Sequence, residues 1–280
     1  MDYLLLLSAC FLNGAKSVFA KKSNSYINET HNIYTYNFYM FLIAFVISLI
    51  ISLTKLTAVS FQTVIMALFY GFSLVFGQIF LIKAMNVGEV SVSTLVYSCS
   101  FPIPIFAGAF VYDEEVSLMQ IIGVLLIIIS FAATIEKGGK KTLKWFFFAI
   151  LSLLCNGMVG LTQKVFGMSQ FKSEQSIFMV IAFLAGMIVM FFIMPKKVKM
   201  LPSAGFIKTA MGSGVTLGLV NYIAVYISGV LPAIIVFPCV SGGGIIVSAI
   251  LARILIGEKL SVRKKAGILI CVFAMCLISI

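Results

Sequence analysis

Few side chains in this sequence are equipped for chemistry, and several of those recur in pairs. Asn13-Gly14, with Lys21 seven residues past the glycine, reappears as Asn156-Gly157 with Lys164. Glu114-x-x-Ser117-x5-Gly123 reappears as Glu258-x-x-Ser261-x5-Gly267. The first pair is 143 positions apart (156 − 13) and the second 144 (258 − 114), so one half of the chain copies the other. Carboxamides and lysines inside apolar segments suit hydrogen bonding and recognition of an anion. Carboxylates beside turns suit helix capping.

Nothing in the pattern suits bond-breaking chemistry. Gly138-Gly139-Lys140-Lys141 lacks the upstream glycine and the Ser/Thr of a phosphate-binding loop, and no strand precedes it. Neither a zinc-binding H-E-x-x-H nor a nucleophile elbow occurs, and no apolar segment holds a carboxylate pair. The single histidine, His31, lies among Asn and Thr after the first apolar segment and reads as a solvated loop residue. The six cysteines fall in apolar segments without ligand spacing and read as small packing residues. No catalytic residue, cofactor or metal is therefore expected.

The elements that must position the polar residues are set by composition. Apolar residues make up 61% and charged residues 10%, against about 25% charged in soluble domains. Mean hydropathy is +1.14. A hydrocarbon core takes roughly 20 apolar residues as helix. Cutting at charge clusters and turn residues predicts ten spans: 3–20, 33–54, 61–82, 90–112, 116–135, 145–163, 176–194, 205–229, 230–252 and 264–280. The first lacks a basic n-region and an Ala-x-Ala site, and residues 145–164 repeat it, so it reads as a retained helix.

The expected fold is thus an all-α integral membrane protein, ten helices in two repeats at 1–135 and 145–280, joined by a basic linker at 136–144. Five helices per repeat force the copies into opposite orientations. Trp145, just past the linker, suits an interfacial anchor, as do Tyr34, Tyr36 and Tyr39 at the second span.

Net charge is +11, yet its distribution points to a membrane rather than to nucleic acid. Loops after the second, fourth, sixth and eighth spans hold Lys55, Lys164 and Lys172. The opposite side holds most of the remaining lysines and arginines, including Lys21, Lys22, the 137–144 run and the Arg263-Lys264-Lys265 cluster. The positive-inside rule makes that side cytoplasmic and puts both termini outside, in a multi-pass protein of a bacterial plasma membrane.

Ten spans in two repeats, an Asn-Gly followed by Lys in the first and sixth, and a Glu before a Gly-bearing fifth and tenth resemble the EamA-type branch of the drug/metabolite transporter superfamily. The resemblance covers essentially the whole chain. It implies secondary transport of small metabolites, often export of amino acids or related compounds.

Candidate substrate-binding residues follow from depth and irregularity. Asn13 and Asn156 sit near mid-span. Lys16, one turn past Asn13, either snorkels to the interface or meets an anion on the substrate. The fourth span carries Ser98-Cys99-Ser100-Phe101-Pro102-Ile103-Pro104 and the ninth Phe237-Pro238 with Ser241-Gly242-Gly243-Gly244. Interrupted helices at matching points of two halves mark binding sites or closely packed, kinked helices, which nominates Ser98, Ser100 and Ser241. Gln78 and its repeat equivalents Asn221 or Tyr222 either touch substrate or pair helices. Tyr97 and Tyr222 are expected on a cavity wall. Ala210, Gly214 and Gly218 form a small-residue stripe for close packing. Glu114 and Glu258 read as structural, with Ser117-x-x-Gln120 as a capping box.

The function expected is alternating-access transport of an amino acid or related neutral, zwitterionic or anionic metabolite. Expected partners are that substrate and the bilayer, with a coupling proton or ion left open and a monomer or weak dimer as the assembly. Quaternary-ammonium compounds or drug cations are the alternative, held on aromatic faces. A channel or scaffold is the alternative of a different class.

Overall fold

The computed structural model describes residues 1–23, 26, 30–54, 59–88, 90–133, 142–194, 203–257 and 262–278. Glu258, Ser261 and most of the predicted basic linker lie outside these residues. The described chain is all helix: α1 (Asp2–Ser23), α2 (Thr30–Leu53), α3 (Phe61–Val87), α4 (Val90–Ser98), α5 (Pro102–Val111), α6 (Leu118–Ala133), α7 (Leu143–Met168), α8 (Gln175–Ile193), α9 (Ala204–Ser228), α10 (Ala233–Ile256) and α11 (Val262–Ile278). Eight segments are long and apolar enough to cross a membrane, with α4 and α5 counted together, and α6 and α11 are shorter apolar helices. Large apolar side chains such as Leu4, Phe69, Phe110, Phe147, Phe192 and Leu269 are exposed on the outside, as lipid-facing surfaces require.

Helix starts follow their caps. Ser60, Thr142 and Ser203 each accept from the third residue on, at the starts of α3, α7 and α9. Ser117 and Gln120 form the predicted reciprocal capping box at α6. Gly257 ends α10 in the left-handed conformation that favours glycine, φ 73°.

The two irregular spans part company. The fourth breaks into α4 and α5, because Pro102 and Pro104 remove two donors within one turn. The ninth, α10, runs unbroken through Pro238, which removes one donor from the helical ladder where the fourth span loses two. Its glycines serve contact: a Cβ on Gly242 would meet Cys271 Sγ at 2.9 Å and one on Gly243 would meet Cys10 Sγ at 2.7 Å.

Two apolar clusters organise the bundle. One joins α2, α3, α7, α8 and α9 around Phe41, Tyr70, Phe166, Phe178 and Phe183. The other joins α1, α6, α9, α10 and α11 around Phe101, Phe131, Val236 and Cys271. α1 lies along α9 and α10, and α7 lies along α3 and the α4–α5 pair. α2 touches α8 and α9, α3 touches α8, and α6 touches α11. Gly214 of the small-residue stripe lies against Ile43 and the Met40 carbonyl of α2, where a Cβ would come within 2.8 Å.

Two anchoring assignments and one loop assignment change. Trp145 is buried, donating from Nε1 to Ser93 Oγ at 2.9 Å beside Gly88, so it plugs the α3–α7 contact instead of floating at the interface. Tyr36 is buried too, its hydroxyl bonded to Ser213 Oγ and the Thr209 carbonyl of α9. His31 falls in the first turn of α2 rather than in a loop.

Candidate functional site

A cavity of about 450 Å³ lies between the helix clusters, within the roughly 300–1,000 Å³ typical of small-molecule sites. Its deep part reaches Gln163, Asn221 and Pro104. From there the lining extends to Ser23 near the end of α1, Asn37 near the start of α2 and Met85 near the end of α3. Nine of the ten predicted site residues line it: Asn13, Lys16, Gln78, Tyr97, Ser98, Ser100, Asn156, Asn221 and Ser241. Tyr222, expected on the wall, does not. It turns toward α8, where its hydroxyl shares a hydrogen bond with Ser176 Oγ at 3.1 Å and its carbonyl accepts from Gln175. Asn221, one residue earlier, points inward instead, because adjacent helical residues project about 100° apart.

The repeated asparagines occupy matching bonds. Asn13 Nδ2 donates to the Val240 carbonyl of α10 at 3.0 Å, and Asn156 Nδ2 donates to the Tyr97 carbonyl of α4 at 3.2 Å. Val240 and Tyr97 are 143 positions apart, as the asparagines are. Asn156 also reaches Ser100 Oγ at 2.6 Å. The α4–α5 break frees carbonyl groups there, and Asn156 satisfies one of them. The glycine beside each asparagine admits the partner helix: a Cβ on Gly14 would lie 2.6 Å from Val247 Cβ, and one on Gly157 would lie 2.9 Å from Ile103 Cβ.

A polar knot closes the deep part. Tyr70 Oη donates to Asn221 Oδ1 at 2.6 Å, and Gln163 Nε2 donates to both Tyr70 Oη (3.0 Å) and Asn221 Oδ1 (3.1 Å). Asn221 Nδ2 returns to the Leu217 carbonyl of its own helix at 2.9 Å. Gln78 Nε2 donates to Tyr97 Oη at 3.1 Å nearby. The sequence reading missed Gln163 and the role of Tyr70. A Gln in an apolar run was the available signal for the first, hidden by a predicted helix end at 163.

Lys164 is the largest correction. Assigned to a loop from sequence, it lies inside α7 and is 1% exposed. Its ammonium pairs with Glu114 and donates to the carbonyls of Ser228 (2.9 Å) and Leu231 (3.3 Å). Glu114 Oε2 accepts from Ala233 N at 2.7 Å, the first residue of α10. Glu114 thus caps α10, whereas the sequence pointed to its own neighbour α6. On the same end of the bundle Glu174 accepts from Ser60 N at 2.8 Å and Ser60 Oγ at 3.0 Å, locking α8 to α3. Gly167 and Gly229 bring α7 and the end of α9 into backbone contact there. Among the described residues these contacts seal this end, and the cavity's lining runs toward the other.

Lys16 is the one charged side chain among the described cavity-lining residues. Its backbone carbonyl accepts from Ser213 Oγ at 3.4 Å, while no described carboxylate or carbonyl receives its ammonium. The described residues contain no cluster of ligating side chains that could hold a metal.

Comparison with known proteins agrees with this architecture. A solved structure published simply as "Crystal structure of protein" superposes with a TM-score of 0.77 over 100% of this chain and 98% of its own, at 11% identity. At that identity the likeness speaks to fold alone. No curated protein sequence matches the chain. The profile of the EamA-like transporter family matches residues 1–135. By that match residues 1–135 are similar to the EamA-like transporter family, within the drug/metabolite transporter superfamily, and the chain has the apolar helices of a multi-pass membrane protein.

Proposed function

We propose that this chain is a secondary transporter that carries one small metabolite at a time through the central cavity by alternating access. The observation that carries the reading is the cavity itself, lined from both halves of the chain, with amides from α1 and α7 on its wall. The halves 1–135 and 145–280, joined through 136–144, act as two inverted units. The helix pairings support this: α1 against α9 and α10 mirrors α7 against α3 and the α4–α5 pair, and α2 against α9 mirrors α8 against α3. Such exchange is what a pseudo-two-fold axis in the membrane plane produces.

The sealed end carries the loops that the positive-inside count puts outside, and removing Lys164 from that side strengthens the count. The cavity then faces the cytoplasm, poised to take up substrate for export of an amino acid or related compound. Cation transport fits less well, since the described lining offers a lysine and no carboxylate. Purified protein in liposomes loaded with a candidate metabolite should give saturable uptake and counterflow of the same compound. Linear, unsaturable flux would replace the transporter with a channel.

A further inference from the structure

We propose that the cavity recognises a small organic acid that also bears N–H or O–H groups, its carboxylate or phosphate on Lys16 and its donors on the amide oxygens of Asn13, Asn156 and Gln163. The inference rests on the transport reading above and adds the substrate's chemistry to it.

The cationic end comes first. A lysine ammonium within a span is costly unless it reaches water or an opposite charge. Lys164 shows how this fold treats a lysine that is part of the structure: a carboxylate and two carbonyls surround it. Lys16 has no such set among the described residues, and it lines the cavity. The partner it lacks is what an anionic ligand brings.

The acceptor end follows from amide orientation. Asn13 and Asn156 each donate from nitrogen to a backbone carbonyl, and carbonyls only accept, so each amide must turn its oxygen elsewhere. Gln163 donates to Asn221 Oδ1, whose own orientation is fixed by donation to the Leu217 carbonyl. No described donor reaches the three side-chain oxygens, yet among the described residues no sealed side-chain oxygen lacks a partner. Those oxygens therefore face accessible space, and the space beside these residues is the cavity. Amide donors tied to protein and amide acceptors left open favour a ligand rich in N–H or O–H. An ester, an apolar drug or a quaternary amine leaves the acceptors unpaired, and the last is also repelled by Lys16.

The test uses the purified full chain and matched compounds differing in one group: lactate against lactamide, L-leucine against L-leucinamide, glycerol 3-phosphate against glycerol, and choline as a cation. Thermal unfolding is followed as each is titrated. The expected result is stabilisation by at least one acid, none by its partner lacking the anionic group, and weaker binding when the ligand's N–H or O–H groups are methylated. Which acid binds separates carboxylate from phosphate. Lys16→Gln should weaken that acid by about tenfold or more, with Lys16→Arg retaining most of the affinity. Stabilisation by choline or by a member lacking the anionic group, or by no acid at all, overturns the proposal. These wild-type comparisons decide it even where Lys16→Gln does not fold. Acid binding without counterflow would sink the transport reading and leave the anion site. Counterflow of a neutral compound, untouched in Lys16→Gln, would do the reverse.

Discussion

Lys164 and Lys16 are both lysines within spanning helices, one in each repeat, and their surroundings are opposite. Lys164 is 1% exposed and held by Glu114 with the carbonyls of Ser228 and Leu231, at the end where α7, α9 and α10 meet. Lys16 is half-buried beside the cavity, and no described carboxylate or carbonyl receives its ammonium. The first charge costs its desolvation once, during folding, and is matched by fixed partners. The second stays unmatched among the described residues, which leaves it open to a charge that a ligand would bring.

The sharpest way to break that contrast is to remove one partner at the sealed end. Lys164→Ala or Glu114→Ala leaves a buried charge unmatched and should cost about 3–5 kcal/mol, read as loss of unfolding stability in detergent. The double variant Lys164→Met with Glu114→Gln should recover most of that loss. A single variant as stable as the parent would make the pair ornamental.

A middle effect belongs to the repeated asparagines. Asn156→Ala removes two hydrogen bonds, one to a carbonyl freed by the helix break, and should cost about 2 kcal/mol. Asn13→Ala removes one and should cost about 1 kcal/mol. Equal losses would mean that Ser100 Oγ contributes nothing to the hold on α4 and α5.

The smallest change in stability is expected at Lys16. Lys16→Gln deletes an unmatched cation and should shift unfolding by less than about 1 kcal/mol in either direction. A loss on the scale of Glu114→Ala would show that Lys16 holds the fold, and the contrast between the two lysines would collapse.

Much of the architecture was legible because its signals are local. Apolar run lengths placed the spans, Ser117 and Gln120 announced a cap, and the Asn-Gly repeat exposed both amides. Legibility ended where identity depends on a distant partner. Nothing near Lys164 says that Glu114, fifty residues earlier, will reach it, so a lysine close to a predicted helix end reads as a loop cation. Tyr36 and Trp145 had the composition of an interfacial belt, but contacts with α9 and with Ser93 bury them. The choice between Asn221 and Tyr222 turned on one residue of offset, which rotates a side chain from cavity to α8. The fate of the two proline-bearing spans depended on proline number: two donors lost in one turn break α4 from α5, and a single one lost leaves α10 whole.

The central claim is that the cavity is the path of transport, and obstructing it tests this most directly. Ser17 lines the cavity next to Lys16, is solvent-exposed, and bonds only to the Asn13 carbonyl of its own helix. Ser17→Trp should therefore fold like the parent and fill part of the space a substrate needs. Measured as counterflow in liposomes beside the parent protein, it should lose most of its flux at unchanged thermal stability. Undiminished, saturable counterflow in Ser17→Trp would contradict the claim and place the path elsewhere in the bundle.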